Sequence, residues 1–355
     1  MIFESFMGAL TPYGFVGHFD SLCEARLPLR LFIIKGGPGC GKSSTMKRIA
    51  ERLTVAGHDV ELVHCSSDPA SLDGVICPSL GFAVADGTAP HIIEPILPVA
   101  GQNVISLYDF IDENISLHAD ELRELFSKNA RCFTRANRFI SASASLYGDL
   151  VRTSSGFLVS KKLDDYIKGL CERLFPKEDS VKGGEEIRFL CAPTPEGLTS
   201  FFSKNLATCN YRYVIKDRFC AFGHAALEQI RSEALSRGLD IVTSRSFLSP
   251  NDKIDAIFIP SLSLCFVLSS FLSPIGTRGC RVINDERFYD KAEAKKYSAR
   301  IGFIKKTTLS LLCEGCEIIR EAKTVHDEIE KIYTKSFDFE PLRDIVEKIC
   351  GKYGV

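Results

Sequence analysis

Eight consecutive residues, Gly36, Gly37, Pro38, Gly39, Cys40, Gly41, Lys42 and Ser43, satisfy the pattern G-x-x-x-x-G-K-[ST]. The chemistry served by this spacing is phosphate binding. Glycines let main-chain N–H groups close around phosphate oxygens, at a helix N-terminus whose dipole favours an anion. Lys42 would reach the β- and γ-phosphates, and the Ser43 hydroxyl would complete a Mg²⁺ shell. Ser44 completes the predicted nucleotide-binding set. Two carboxylates stand where they could serve the same phosphate. Asp86 closes the apolar run Phe82-Ala83-Val84-Ala85, the setting in which an acid holds Mg²⁺ directly or through water. Asp68, in Ser66-Ser67-Asp68-Pro69, either positions water or simply makes the turn that this composition favours.

These groups need a strand, a loop and a helix in fixed order, and the sequence supplies them. Leu31-Phe32-Ile33-Ile34-Lys35 reads as a buried parallel strand leading into the loop. Met46, Ile49, Ala50 and Leu53 follow at helical spacing, and Gly57 stops the helix. Residues 58–65 read as a second strand, and a short segment through Leu72, Asp73 and Ile76 leads to Pro78. Residues 82–85 are a third strand, running into Asp86-Gly87-Thr88-Ala89-Pro90-His91. In an open α/β sheet both Asp68 and Asp86 then fall near the γ-phosphate. His91 either orients a nucleophile or packs beside Pro90, and His64 reads as a core residue.

From about 112 to 175 the pattern is helical. Leu122, Leu125, Phe126 and Phe133 share one side, while Arg131, Arg135 and Arg138 share another. The arginine face is either a lid that closes on nucleotide or a solvated surface. Residues 163–174 form a further amphipathic helix, and 176–184 is polar and glycine-bearing, the best linker in the chain.

After the linker the chain begins again. Thr11-Pro12-Tyr13-Gly14 is echoed by Thr194-Pro195-Glu196-Gly197, Phe32-Ile33-Ile34-Lys35 by Tyr213-Val214-Ile215-Lys216, and DGVICPSL from Asp73 by DAIFIPSL from Asp255. Offsets stay between 181 and 183 residues, and residues 328–352 are helical like those before Pro176. The chain therefore reads as a tandem duplication, with one domain over 1–180 and its diverged copy over 185–355. Each is expected to be a mostly parallel sheet flanked by helices, an α/β fold with a C-terminal helical segment. The second copy reads Asp217-Arg218-Phe219-Cys220-Ala221-Phe222-Gly223-His224-Ala225 in place of the loop, with His224 aligned to the lysine and Ala225 to the serine. It should not bind Mg-nucleotide. Arg278 and Arg281 are candidates to reach across to the first copy.

Composition narrows the function classes. The 355 residues carry 44 basic and 45 acidic side chains, which gives no electrostatic signature of nucleic-acid or membrane binding. No secretory pattern opens the chain, and residues 257–275, though apolar, are broken by Pro260 and Pro274 and read as paired buried strands. A cytoplasmic setting is expected. The fourteen cysteines are scattered and read as reduced and mostly buried, with Cys313 and Cys316 three apart on the inner face of a helix.

Taken together, GGPGCGKS, HCSSDPASLDGV and AVADGTAPH, followed by a helical segment and a diverged repeat, resemble a bacterial family of tandem-repeat P-loop ATPase-like proteins. The resemblance covers nearly the whole chain. It implies a P-loop NTPase fold in each half and ATP as ligand, with GTP equally compatible, and it brings no substrate. The expected activity is Mg²⁺-dependent NTP hydrolysis, possible coupling being to a protein partner or to movement between the halves. A small-molecule kinase of the nucleoside or nucleotide type, or a nucleotide sensor that does not hydrolyse, are the alternatives.

Overall fold

The structure is a computed structural model and describes residues 1–24, 30–177 and 181–355. Of the predicted linker, Glu178, Asp179 and Ser180 lie outside the described residues. The first half contains β1 (Ile2–Ser5), the hairpin β2 (Gly8–Thr11) and β3 (Gly14–Gly17), β4 (Arg30–Lys35), α1 (Lys42–Val55), β5 (Val60–Cys65), β6 (Asp68–Cys77), β7 (Phe82–Asp86) and β8 (Gln102–Ser106). Helices α2 (Ala119–Ser155) and α3 (Ser160–Leu174) follow. The second half repeats the plan with β9 (Glu185–Arg188), β10 (Cys191–Thr194), β11 (Gly197–Ser200), the short α4 (Phe202–Leu206), β12 (Tyr211–Lys216) and α5 (Phe222–Ser236). Strands β13 (Ile241–Ser246), β14 (Ser249–Ile259), β15 (Leu264–Ser269) and β16 (Arg281–Asn284) follow, then α6 (Lys291–Lys296), α7 (Ser298–Lys335) and α8 (Pro341–Gly351).

The first sheet has the order β1-β5-β6-β7-β4-β8, and the second has β16-β12-β15-β14-β13-β9. Read strand for strand, the second is the first again, with the same sense at every pairing. The chain is thus an α/β protein of two similar sheet-plus-helix halves. Each sheet is mixed: five of its six strands run parallel to one another, as expected, and one runs against them. Strand β6 runs antiparallel between β5 and β7. Ser66 and Ser67 turn the chain straight back, and a two-residue turn cannot make the crossover a parallel neighbour needs. The segment expected to be a short connection is this strand. Residues 257–275 do form paired strands, β14 and β15, around a turn at Pro260–Leu262. No helix of the described residues is long and apolar enough to cross a membrane.

The helices do not stay with their own sheets. α2 and α7 lie along each other, α2 also touching β2 and α7 touching β10 and β11. Apolar residues Leu163, Ile167 and Leu170 of α3 join the core of the second half, and α3 packs on α5. Leu342, Val346 and Ile349 of α8 join Met46, Ile49 and Leu53 of α1 in the core of the first half. The exchange is reciprocal: Ile111 bridges Phe337, and the corresponding Tyr289 bridges Leu158. Near the centre of this arrangement Phe6 and Phe189 donate their N–H groups to each other's carbonyls, both at 2.8 Å. Such self-complementary pairing is how a two-fold dimer is built, here within one chain.

A buried ion pair joins the two sheets. Arg188 Nε and Nη2 donate to the Glu61 carboxylate at 2.7 and 3.0 Å, and Ser5 Oγ adds a bond at 2.5 Å. Burial by itself would weaken the charge of Arg188, but the Glu61 carboxylate more than offsets it and holds the guanidinium well above its usual pKa. All fourteen cysteines are free thiols. Of the pair on α7 only Cys316 faces inward, while Cys313 is exposed, because three residues is short of a full helical turn at the edge of the buried stripe.

Candidate functional site

The loop leaves β4 at Lys35 and enters α1 at Lys42. Gly39 and Gly41 take φ values of 70° and 77°, a left-handed backbone that a side chain would strain. At Gly39 there is also no room: a Cβ would stand 2.9 Å from the carbonyl oxygen of Glu330 on α7. Lys42 folds back over the loop, donating from Nζ to the carbonyls of Gly36 at 2.7 Å and Gly37 at 2.8 Å. Its ammonium lies 3.6 Å from Asp86 Oδ2. Ser43 Oγ accepts from the Leu72 N–H at 3.0 Å, and Ser44 is exposed.

Register places Asp86 beside Ile34 at the end of β4, so the carboxylate emerges at the loop. Its other oxygen accepts from Thr88 N–H at 2.8 Å. Burial raises the pKa of Asp86, with Lys42 and Thr88 pulling the other way. Thr88 ties the two strand ends together, accepting from Gly36 N–H at 3.2 Å and donating to Gly36 carbonyl at 3.1 Å. The structure therefore brings Lys42, Asp86 and the loop into one place. The contacts of Asp68 run elsewhere, to Ser71 Oγ at 2.9 Å and to Lys323 Nζ of α7 at 3.6 Å.

Helix α7, from the second half, roofs the first half's loop. Tyr333 lies over Gly37, Thr334 Oγ1 donates to the Gly39 carbonyl at 3.4 Å, and Leu342 of α8 covers Gly41. One, two and three turns back along α7 come Glu330, His326 and Lys323, with His326 Nδ1 3.7 Å from Glu330. Burial depresses the pKa of His326, Glu330 opposes this, and the charges of Lys323 and Lys42 add to the depression. None of these α7 residues stands out in the sequence, where they read as one more charged helix face. Their position follows only from the exchange of helices.

The second loop has been rebuilt as a closed structure. Its Asp217 is buried, and the carboxylate accepts from the N–H groups of Phe219 at 3.0 Å, Cys220 at 2.9 Å and Gly223 at 2.6 Å. Tyr289 Oη donates to it at 3.0 Å and accepts from Ala221 and Phe222 N–H at 3.2 and 2.7 Å. Burial still raises Asp217 to about 6. At the corresponding places the first half has Gly36 and Ile111, which carry no group able to take those bonds. The pairing of the two loops is also corrected. His224 bonds through Nδ1 to the carbonyl of Ile254 at 2.8 Å, as Ser43 bonds to Leu72, the matching residue of the first half. His224 therefore replaces the serine, and Gly223 the lysine, which keeps the 181-residue offset unbroken from Lys35 to Gly57.

The arginine candidates and His64 make their contacts away from the loop, whereas His91 feels the charges of Asp86 and Lys42. Arg131, Arg135 and Arg138 are exposed, with Arg135 Nη1 2.9 Å from Glu321 along the α2–α7 pair. Arg281 donates to Tyr213 Oη at 2.7 Å inside the second half, and Arg278 is exposed. His64 stacks on Phe201 with ring centroids 4.7 Å apart and bonds Pro69 carbonyl at 2.9 Å. His91 packs against the rings of Phe15 and Phe19, and its Nε2 lies 3.2 Å from Asp73 Oδ2. No protein-family model, curated protein or solved structure matches this chain.

Proposed function

We propose that the first half is a nucleoside triphosphate site of the P-loop type, and that the chain is a Mg²⁺-dependent NTPase with ATP as its nucleotide, GTP fitting the same groups. The contrast between the loops carries this reading. In the second loop the amide N–H groups hold a carboxylate, which is what such a loop does with an anion. In the first loop the carboxylate's position is Gly36, so the anion must come from outside.

Lys42 would leave the Gly36 and Gly37 carbonyls to balance charge on the β- and γ-phosphates. Ser43 and Asp86 offer the hydroxyl and carboxylate oxygens that Mg²⁺ takes, and they would hold an ion whose charge would offset the negative charge developing in the reaction. Asp86, fixed by Thr88, also orients water. Asp68 acts through Lys323, bringing α7 to the site. Since α7 and α8 belong to the second repeat yet cover the first loop, seating a nucleotide and moving the halves become one event. That coupling favours hydrolysis as a switch.

Melting temperature and phosphate release test the proposal together. MgATP should raise the melting temperature of the wild type and leave Lys42→Ala unmoved. Phosphate should be released without any acceptor, whereas release only in the presence of a metabolite would move the assignment to a kinase. If the wild type neither binds nucleotide nor releases phosphate, the reading fails.

A further inference from the structure

We propose that Cys65, Asp73 and His91 form a site for a transition-metal ion, Zn²⁺ being the ion this donor set suits. The three residues arrive from separate elements: the end of β5, the middle of β6 and the loop after β7. Their donor atoms nevertheless all lie within 4.8 Å of one another. Asp73 and His91 are each buried, and the Nδ1 of His91 has no hydrogen-bond partner in the protein. One thiol, one imidazole and one carboxylate make a borderline-soft set, unlike the oxygen donors Ser43 and Asp86, and three protein ligands leave a tetrahedral ion one position for water or a ligand atom.

The duplication supplies a control for the ordinary explanation that these residues merely pack. At the matching positions the second half has Ser246 and Asp255, and the residues after β15, Ser270 to Pro274, include no histidine. The same sheet thus folds with the aspartate alone, satisfied by Ser246. Cysteine and histidine accompany the aspartate only in the half whose phosphate loop kept its lysine. The inference does not depend on nucleotide binding, since all three ligands lie outside the loop.

The test is metal analysis of the purified full chain, followed by replacement with Co²⁺. The wild type should hold one Zn²⁺ per chain through dialysis, and the Co²⁺ form should show a thiolate-to-cobalt charge-transfer band. Cys65→Ser should abolish that band, and His91→Gln should weaken zinc affinity by at least ~10-fold, the size of loss that removal of even an outer-shell partner of a ligand typically brings. Lys42→Ala should keep both metal and band, which separates this site from the nucleotide site. A wild type that binds no zinc or cobalt, a cobalt form without the thiolate band, or a band that survives in Cys65→Ser would each overturn the proposal.

Discussion

The loop at residues 36–43 and the loop at residues 217–224 leave equivalent strands and enter equivalent helices, but only the second brings its own anion. There Asp217 and the hydroxyl of Tyr289 consume the amide groups, His224 is buried neutral between Ile254 and Tyr147, and the overlying α2 offers the aromatic Tyr147 and apolar Val151. The first loop has Gly36 and Ile111 at the plugging positions, and the overlying α7 offers Lys323, His326 and Glu330. The comparison teaches that such a loop can be held closed by its own chain when a buried carboxylate takes the hydrogen bonds of its amides. Losing the lysine is only half of the change. The other half is acquiring the plug.

The strongest way to break the comparison is to plug the first loop. Gly36→Asp, made with Leu107→Ala because a Cβ at Gly36 meets Leu107 at 3.0 Å, should abolish the MgATP-dependent rise in melting temperature while the protein stays folded. A carboxylate fixed a few Å from phosphate in a partly buried site costs about 4 kcal/mol, enough to lower affinity by more than ~100-fold. Undiminished nucleotide protection in that variant would show that the amides are not the anion site. The converse experiment removes the plug from the second loop. Asp217→Ala strands three amide donors, and denaturant unfolding should show a loss of roughly 2–4 kcal/mol, partly offset by relief of a buried carboxylate. Sulfate or phosphate should restore part of that loss in the variant and not in the wild type.

A smaller effect distinguishes the loops by pH. Burial holds His224 at about 4, against about 6.5 in an unfolded chain. The unfolded state binds the proton first, so the stability this residue contributes is complete above about pH 6.5 and is lost as pH falls towards 4. His18, also lowered to about 4 by burial, acts in the same direction. Asp217 and Asp255, raised by burial to about 6 and about 7, act the other way, their contribution being present at acid pH and lost as pH rises through those values. His224→Gln should flatten the acid limb by up to about 1.4 kcal/mol per pH unit, measured as unfolding free energy from pH 6.5 to 4. An unchanged limb would mean that His224 is not held neutral. The smallest effect belongs to Lys323→Ala. It should cost no more than ~1 kcal/mol of stability, since its pairs with Asp68 and Asp327 are partly exposed, yet weaken MgATP binding several-fold. Equal nucleotide affinity in the variant would remove α7 from the site.

Much of this was legible because it is local. The glycine spacing, the strand before it and the helix after it are short-range patterns, and duplication doubles the signal for the order of elements. Strand β6 was hidden because its first residues, Asp68-Pro69-Ala70-Ser71, carry no alternation and only its later part is buried. The correspondence of Gly223 and His224 with Lys42 and Ser43 could not be read from residue likeness, since neither pair shares a chemical group. It emerged from what His224 and Ser43 touch. Lys323, His326 and Glu330 had no local signal at all. On their own helix they are indistinguishable from a solvated face, and only long-range packing turns them towards the loop.

The crossing of α3 and α8 has a consequence for how the chain comes off the ribosome. The first loop and α1 are made early, but Leu342, Val346 and Ile349, which pack against α1, are made only after the sheet of the second half. Until then the N-terminal sheet carries an uncovered apolar helix, and the contacts that finish it span nearly the full sequence. Contacts so distant in sequence form late and slowly, and the intermediate is prone to associate through its open face. The first loop is therefore roofed only once α7 and α8 have been made, so that a product cut short before them would carry the loop's sequence without its roof.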